Sequence, residues 1–185
     1  MEETTVKTKK KISPLLYAAA ALLVLAIAAV LYVRMKPDHP RETVEKYFRL
    51  QNEIYEAQSQ EEVEQTLREL YGMQYPSLDM LAEWYDAESE AVFFRMMAQS
   101  FYDGVKRMDE EQRALYHTEA EIRTVTKMSR VEIDENLHIL PEEFGLKTSQ
   151  VQEAYAVNAL VKLPATEYES KLTVYCLDGK WYLLD

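Results

Sequence analysis

The sequence predicts an α+β protein in which an N-terminal transmembrane helix precedes helices packed on a curved antiparallel sheet. Three observations support this fold class. Residues 15–33 form an unbroken apolar run, apolar residues then recur with helical spacing to about residue 107, and from about residue 118 they alternate as in strands. Helices followed by consecutive strands in one chain are typical of α+β domains, because each element must bury one apolar face.

The apolar run is long enough to cross a lipid bilayer. It contains no charged residue, Gly or Pro, and its 19 residues extend about 28 Å as an α-helix, close to the thickness of the hydrocarbon core. The lipid bilayer is therefore the first expected partner of the chain. The residues expected to form the anchor are Leu15, Leu16, Leu22, Leu23, Val24, Leu25, Ile27, Val30, Leu31 and Val33.

Basic residues on either side of the run indicate its orientation. Four lysines precede it, Lys7 and Lys9 to Lys11, whereas Arg34 and Lys36 follow it closely. Because cytoplasmic flanks are enriched in Lys and Arg, we expect the N-terminus in the cytoplasm of a single-pass plasma membrane protein. The expected parts are a cytoplasmic tail, a transmembrane helix, a linker and an extracytoplasmic α+β domain, over residues 1–11, 12–34, 35–39 and 40–185 respectively.

A cleaved signal peptide is the alternative to a permanent anchor. Residues 26–28, Ala-Ile-Ala, have the small-x-small form of a cleavage site, but the apolar run continues to Val33, which favours the uncleaved anchor. The single cysteine, Cys176, lies far from the run, which argues against a lipoprotein anchor and excludes an intrachain disulfide. Its place in an alternating strand predicts a small buried side chain.

The charge of the chain is strongly uneven. Residues 1–36 carry 6 basic and 2 acidic side chains, whereas residues 37–185 carry 15 basic and 30 acidic ones, a net charge of −15. Phosphate binding needs a cationic surface, so nucleic acid is not an expected partner of the acidic part. Solubility explains this charge more simply than an acidic binding patch does.

Helical periodicity fills the first half of the expected domain. A first helix is expected over 40–57, and the capping box at 59–62 begins a second helix that Gly72 is expected to end. A third helical stretch is expected over about 75–107, with a possible break at 86–89. Its expected apolar face consists of Leu78, Leu81, Tyr85, Val92, Met96 and Tyr102.

Strand periodicity fills the second half. A long strand is expected over 119–133, with a slip of the apolar phase between Ile122 and Val125 that suggests a bulge. An excursion over 134–145, with room for a short helix, leads to a strand over 151–163.

A hairpin is expected to close the chain, with strands over 168–177 and 180–184 joined by Asp178-Gly179, a strong type I′ turn signal. That turn fixes the register of the hairpin. It pairs Cys176 with Trp181 and Val174 with Leu183 on one apolar face, and Tyr175 with Tyr182 on the other.

The element order resembles that of the bacterial membrane-tethered members of the nuclear transport factor 2-like (cystatin-like) superfamily. The residues that carry the resemblance are ETVEKYF at 42–48 and the closing hairpin KLTVYCLDGKWYLLD at 171–185, and in element order it covers about residues 40–185. It implies a cone-like fold, a bent sheet wrapped around helices with a pocket between them. The superfamily includes enzymes, ligand binders and scaffolds, so it does not fix the function.

The expected function is non-catalytic binding of a protein partner or a cell-envelope ligand. The layout of a short tail, one span and such a domain resembles the assembly-factor subunits of bacterial conjugation and type IV secretion machines, which implies a role in assembling an envelope or secretion complex. The alternative is a small-molecule binder or an isomerase-like enzyme that uses a pocket in the cone. A deep apolar cavity with a few inward polar groups favours this alternative, and an exposed aromatic patch favours the partner.

No catalytic residue, metal site or cofactor is expected. His39, His117 and His138 are widely spaced, without ligand spacing on a shared helix face. Cys176 lies within a strand rather than at a helix N-terminus, where a thiolate is stabilised. The four glycines are too dispersed to form a phosphate-binding loop.

Two sets of residues remain candidates for function. Tyr155, Arg123 and Asp103 are types that an isomerase of this superfamily would use in a pocket, although so many tyrosines make such a coincidence easy. An aromatic stripe is broader than one helix face needs, so it either packs in the core or forms part of a partner-binding groove. The stripe consists of Phe93, Phe94, Phe101 and Tyr102.

Overall fold

The computed structural model describes residues 40–137 and 147–184. Over these residues the chain is an α+β protein with helices packed on a four-stranded antiparallel sheet, which confirms the predicted fold class for this part. The expected tail, transmembrane helix, linker and anchor residues lie outside the described ranges. Among the described helices, none is both long enough and apolar enough to span a membrane.

Six α-helices, a short 3₁₀ helix (Thr148–Gln150) and four strands make up the described fold. The helices are α1 (Pro40–Glu56), α2 (Gln60–Gln74), α3 (Asp79–Trp84), α4 (Glu90–Val105), α5 (Glu110–Ala114) and α6 (Arg130–Asn136). The strands are β1 (Glu119–Lys127), β2 (Val151–Leu163), β3 (Thr166–Leu177) and β4 (Lys180–Leu184). The first helix and the third strand of the prediction agree with α1 and β3 within two residues, and the predicted bounds of β2 and β4 are confirmed.

Helix α2 begins where the sequence predicts but ends later. The Ser59 hydroxyl accepts a hydrogen bond from the Glu62 N–H at 3.2 Å, while the Glu62 carboxylate accepts from the N–H of Gln58 at 2.7 Å. The expectation that Gly72 ends the helix is wrong, because the helix continues to Gln74. Pro76 is the physical cause of the end, since the residue before a proline is driven to extended backbone, and Tyr75 has φ −121° and ψ 123°.

The predicted break in the third helical stretch is confirmed between α3 and α4. Asp86 has φ 52°, in the left-handed region. The Ala87 N–H donates to the Ala82 carbonyl at 2.8 Å and the Asp86 N–H donates to the Glu83 carbonyl at 3.2 Å. These are the two hydrogen bonds of a Schellman motif, with Asp86 in the position that Gly usually takes.

The expected apolar face of that stretch is wrong at Tyr85 and Met96. Tyr85 is 65% exposed and Met96 is 64% exposed. The break resets the helical phase, so a period counted continuously across it places Met96 on the wrong side of α4. The residues of α4 that are buried are Phe93, Phe94, Ala98 and Val105.

The sheet is an antiparallel meander in the order β1-β2-β3-β4. The predicted slip in β1 is confirmed, because the register with β2 shifts between Ile122 and Thr124. The expected continuation of this strand to Ile133 is wrong, since β1 ends at Lys127 and Ile133 belongs to α6. Helix α6 begins there because the Ser129 side chain accepts from the Glu132 N–H and the Glu132 carboxylate accepts from the Ser129 N–H, a capping box.

The closing hairpin has the predicted turn and register. Asp178 and Gly179 both have positive φ, 50° and 79°, as a type I′ turn requires. Cys176 lies opposite Trp181 and Tyr175 lies opposite Tyr182, as predicted. Cys176 is 3% exposed, which confirms the buried small side chain.

Apolar side chains are buried on both faces of the sheet. On one face, α1 and α2 cover residues that include Val157, Leu172 and Leu183, and α4 packs against α2. On the other face, Ile133 of α6 and Leu137, the residue that follows this helix, pack over a smaller cluster. The strand residues of that smaller cluster are Val151, Ala154, Tyr175, Leu177 and Tyr182. The helices on the larger face form the walls of the clefts described next.

Candidate binding clefts

A stacked pair of tyrosines separates two neighbouring clefts. The rings of Tyr55 on α1 and Tyr116 after α5 lie 4.7 Å apart between centroids, with 9° between their planes. The Asn52 side chain fixes this arrangement, because its Nδ2 donates to the Thr118 carbonyl at 2.8 Å and its Oδ1 accepts from the Thr118 N–H at 2.8 Å. The segment after α5 is thereby held against α1.

The tyrosine cleft lies on one side of this pair. Its volume is about 350 Å³, within the usual range for ligand sites. None of its described lining residues is Asp, Glu, His, Lys or Arg, and its polar groups are hydroxyls and the amides of Gln51 and Gln74. The lining residues are Tyr47, Gln51, Ile54, Tyr55, Leu67, Leu70, Tyr71, Gln74, Phe101, Tyr116, Thr118 and Leu163.

The tyrosine cleft continues past Phe101 into a smaller hollow of about 310 Å³. This hollow lies between the end of α4 and the tyrosine pair, with Gly104 and Met108 in its wall. Phe101 is 37% exposed and Tyr116 is 44% exposed. Two aromatic rings are thus accessible to solvent where the cleft meets the hollow.

Two hydroxyl groups of the tyrosine cleft, those of Tyr55 and Tyr71, are neutral at physiological pH. Burial, followed by the neighbouring Tyr116, raises the pKa of Tyr55 above its ordinary value. Burial, followed by Tyr85 and Tyr75, raises the pKa of Tyr71 in the same way. Both phenols can therefore donate and accept hydrogen bonds, but neither is poised to act as a base.

The polar cleft lies on the other side of the tyrosine pair and has a volume of about 430 Å³. Its described lining combines both signs of charge around Tyr55. The His117 Nδ1 lies 4.0 Å from the Glu56 Oε1, a loose contact between two exposed side chains. The lining residues are Asn52, Tyr55, Glu56, Gln58, Glu110, Arg113, Ala114 and His117.

The residues of the predicted aromatic stripe lie in different environments. Phe93 and Phe94 are 3% and 0% exposed and belong to the core, so they are not available to a partner on the surface. Phe101 lines the tyrosine cleft, whereas the half-buried Tyr102 donates its hydroxyl to the Gln58 carbonyl at 3.0 Å. The cause is helical geometry, because eight residues turn the side chain of Phe101 about 80° away from that of Phe93.

The three residues considered for isomerase chemistry each have different neighbours. The Tyr155 hydroxyl donates to Glu153 at 2.8 Å, and this hydrogen bond raises the pKa of Tyr155. Asp103 accepts hydrogen bonds from Lys106 and Gln99, which hold its pKa below its ordinary value. Arg123 lies in the irregular part of β1 with its Nε 4.0 Å from Glu121. The three do not form one constellation.

The remaining candidates for chemistry lie elsewhere. The Cys176 thiol donates to the Gln152 Oε1 at 3.2 Å, and burial raises its pKa, so it is held as a neutral thiol. His39 and His138 lie outside the described residues. Within the described ranges, no group of three or more His, Cys, Asp or Glu side chains could hold a metal ion.

Sequence reasoning missed both clefts, although two signals point to them. Gln51 is a polar residue on the otherwise apolar face of α1, and it lines the tyrosine cleft. Asp109 and Gln112 form a capping box that begins α5, and the acidic run at 109–111 is itself typical of a helix start. That helix brings Arg113, and the segment after it brings Tyr116, to the clefts.

Comparison with known proteins gives no relative. The chain matches no protein-family model, no curated protein and no solved structure. The resemblance to the nuclear transport factor 2-like superfamily therefore stays a prediction. The class defined by the described residues is an α+β domain that carries an uncharged tyrosine cleft beside a charged one.

Proposed function

We propose that this chain is a single-pass membrane protein whose extracytoplasmic domain binds a protein partner through the tyrosine cleft, without catalysing a reaction. The observation that carries the proposal is the uncharged, tyrosine-lined character of the cleft, with Phe101 and Tyr116 accessible at its edge. Aromatic residues are enriched at protein interfaces and charged ones are depleted at interface centres. The described lining has that composition.

The ionisation of the cleft favours binding over catalysis. General acid–base catalysis needs a group whose pKa lies near the operating pH. The described lining offers no carboxylate or imidazole, and the pKa values of Tyr55 and Tyr71 are raised rather than lowered. Neutral tyrosines are suited to recognition, because a rigid ring supplies contact area at little entropic cost and the hydroxyl supplies a hydrogen bond.

Membrane attachment would favour the binding of a partner at such a site. The apolar run at 15–33 would confine the domain to the membrane surface, where tethering raises the effective concentration of a partner in the same membrane. Helices followed by an antiparallel meander also suit a nuclear transport factor 2-like cone. We extend the proposal accordingly to an assembly factor of an envelope or secretion complex.

Site-specific photocrosslinking in cells tests the proposed interface. A benzophenone amino acid at Phe101 or Tyr116 of the full-length chain should give a crosslinked product of one defined mass, because both side chains line the cleft. The matched control is the same probe at Leu115, which is 57% exposed but lines neither cleft. Equal crosslinking at Leu115 and Tyr116, or none at Phe101 and Tyr116, would overturn the proposal.

Cysteine labelling tests the proposed topology. Cys176→Ser removes the only natural thiol, and single cysteines are then introduced at Thr5 and at the exposed Glu167. A membrane-impermeant maleimide should label the Glu167→Cys chain in intact cells and the Thr5→Cys chain only after permeabilisation. The reverse pattern, or recovery of the chain in the soluble fraction after a carbonate wash, contradicts the proposed anchor.

A small uncharged ligand is the second candidate occupant of the tyrosine cleft. A volume of about 350 Å³ accommodates one, and the Gln51 and Gln74 amides could orient it. A ligand that occupies the cleft should abolish crosslinking from Phe101 and raise the melting temperature of the full chain. If Phe101→Ala removes that thermal shift while no crosslinked protein forms, ligand binding replaces partner binding as the function.

A further inference from the structure

Two opposite charges in the polar cleft lack partners among the described residues. Glu110 and Arg113 both line the cleft and lie three residues apart on the short helix α5. Neither forms an ion pair within 4.0 Å, nor a side-chain hydrogen bond, in the described part of the chain. Elsewhere in the domain Lys46 and Lys106, for example, each pair with a carboxylate.

The state of Arg113 is costly for the free protein. Its side chain is half-buried, and its Nε is shielded from solvent without any acceptor among the described residues. A buried donor without a partner loses its hydration and gains nothing in return, so buried polar groups in folded proteins are normally paired. In a region with twice as many acidic as basic side chains, an unpaired half-buried guanidinium needs an explanation.

The surroundings of Arg113 restrict what its missing partner can be. A simple anion would meet Arg113 but also Glu56 and Glu110, which repel it. A simple cation would meet those two carboxylates but also the guanidinium. A molecule with both charges a few ångströms apart satisfies each group, and the Tyr55 ring offers an apolar surface beside them.

We propose that the polar cleft binds a small zwitterion of the α-amino-acid class, with Arg113 holding its carboxylate, Glu110 and Glu56 holding its ammonium group, and Tyr55 supporting its side chain. Arg is suited to this role because its fork of N–H donors matches the two oxygens of a carboxylate. The inference does not rest on the proposed protein partner, since it concerns the other side of the tyrosine pair.

Calorimetric titration of the full chain in detergent micelles tests this site. The probes are L-phenylalanine, 2-phenylethylamine, which lacks the carboxylate, and 3-phenylpropionate, which lacks the ammonium group. L-phenylalanine should bind about tenfold more tightly than either analogue, because each charged group adds a charge-assisted hydrogen bond. Equal affinities for the three probes, or binding of none, would overturn the proposal.

Two variants test which residue holds the carboxylate of the ligand and which holds its ammonium group. Arg113→Gln should weaken L-phenylalanine and 3-phenylpropionate about tenfold and leave 2-phenylethylamine unchanged, since it removes only the carboxylate contact. Glu110→Gln should weaken L-phenylalanine and 2-phenylethylamine and leave 3-phenylpropionate unchanged. The matched controls are Arg107→Gln and Glu111→Gln, exposed neighbours that do not line the cleft.

The pattern of losses distinguishes a binding site from a structural role. A general loss of fold would weaken all probes together and lower the melting temperature, which the controls and a thermal scan would reveal. If Arg113→Gln weakens all three probes equally while the melting temperature is unchanged, the assignment of the carboxylate to Arg113 is wrong. Crosslinking from Phe101 is a separate readout, so failure here leaves the proposed protein interface intact.

Discussion

Three residues with positive φ show how single positions shape this chain. Asp86, Asp178 and Gly179 have φ of 52°, 50° and 79°. Aspartate and glycine tolerate the left-handed region better than other residues, the former through its short polar side chain and the latter because it has no Cβ. The sequence predicts the turn at Asp178-Gly179 from the dipeptide itself, whereas the Schellman ending at Asp86 carries no glycine to signal it.

We expect Gly179→Ala to lower the free energy of unfolding by about 1 kcal/mol. A Cβ at this position would meet nothing within 4 Å, so the cost is one of backbone conformation alone. The measurement is denaturant unfolding of the full chain in detergent, followed by the fluorescence of the buried Trp181 on the adjoining strand.

Gly104→Ala is the matched control for that prediction. Gly104 lies in α4, has equally open space around a Cβ, and does not have positive φ. Alanine should therefore raise the free energy of unfolding there, by about 0.5 to 1 kcal/mol. Destabilisation of similar size in both variants would contradict a purely conformational cause.

At the scale of elements, side-chain caps set where most helices begin. Ser59, Ser89, Asp109 and Ser129 each accept a hydrogen bond from the N–H three residues ahead. Only the first of these, at Ser59, is predicted as a capping box from the sequence. The box at Ser129 lay inside a stretch that alternates like a strand, so the period of two concealed the start of α6.

We expect Ser129→Ala to destabilise the protein by about 1 kcal/mol through loss of this cap. The effect should concentrate on α6 and on the cluster that its Ile133 covers, because the cap satisfies the Glu132 N–H at the start of that helix. Hydrogen exchange read by mass spectrometry would detect faster exchange over 130–137. Ser100→Ala is the control, since Ser100 is exposed in the middle of α4 and no change in exchange over 130–137 is expected.

At the scale of the whole molecule, the sequence predicts the strands and their pairing better than it predicts the clefts. The bounds of β2 to β4, the bulge in β1 and the register of the closing hairpin follow from alternation and turn chemistry, which are local. The clefts depend on residues far apart in sequence, such as Asn52 and Thr118, which are 66 positions apart. No local period encodes such a contact, so the clefts could not be derived in the same way.

The stripe residues Phe94, in the core, and Phe101, in the cleft, should contribute differently to the stability of the domain. Phe94→Ala should cost about 3 to 5 kcal/mol, because the ring is fully buried and packs against the Arg68 guanidinium at 4.6 Å. Phe101→Ala should cost about 1 kcal/mol or less, because its ring is partly exposed, and it should affect binding instead. Paired unfolding and crosslinking measurements on the two variants check this, and similar stability losses would show that Phe101 belongs to the core.

The double hydrogen bond between Asn52 and Thr118 couples the clefts to the first helix. A molecule that displaces Tyr116 must either distort these two hydrogen bonds or move α1 together with the ring. This is because Tyr116 lies only two residues before Thr118. Helix α1 has 17 residues, a stiff rod of about 25 Å. An event at its far end is thereby delivered to Pro40, the first residue of this helix.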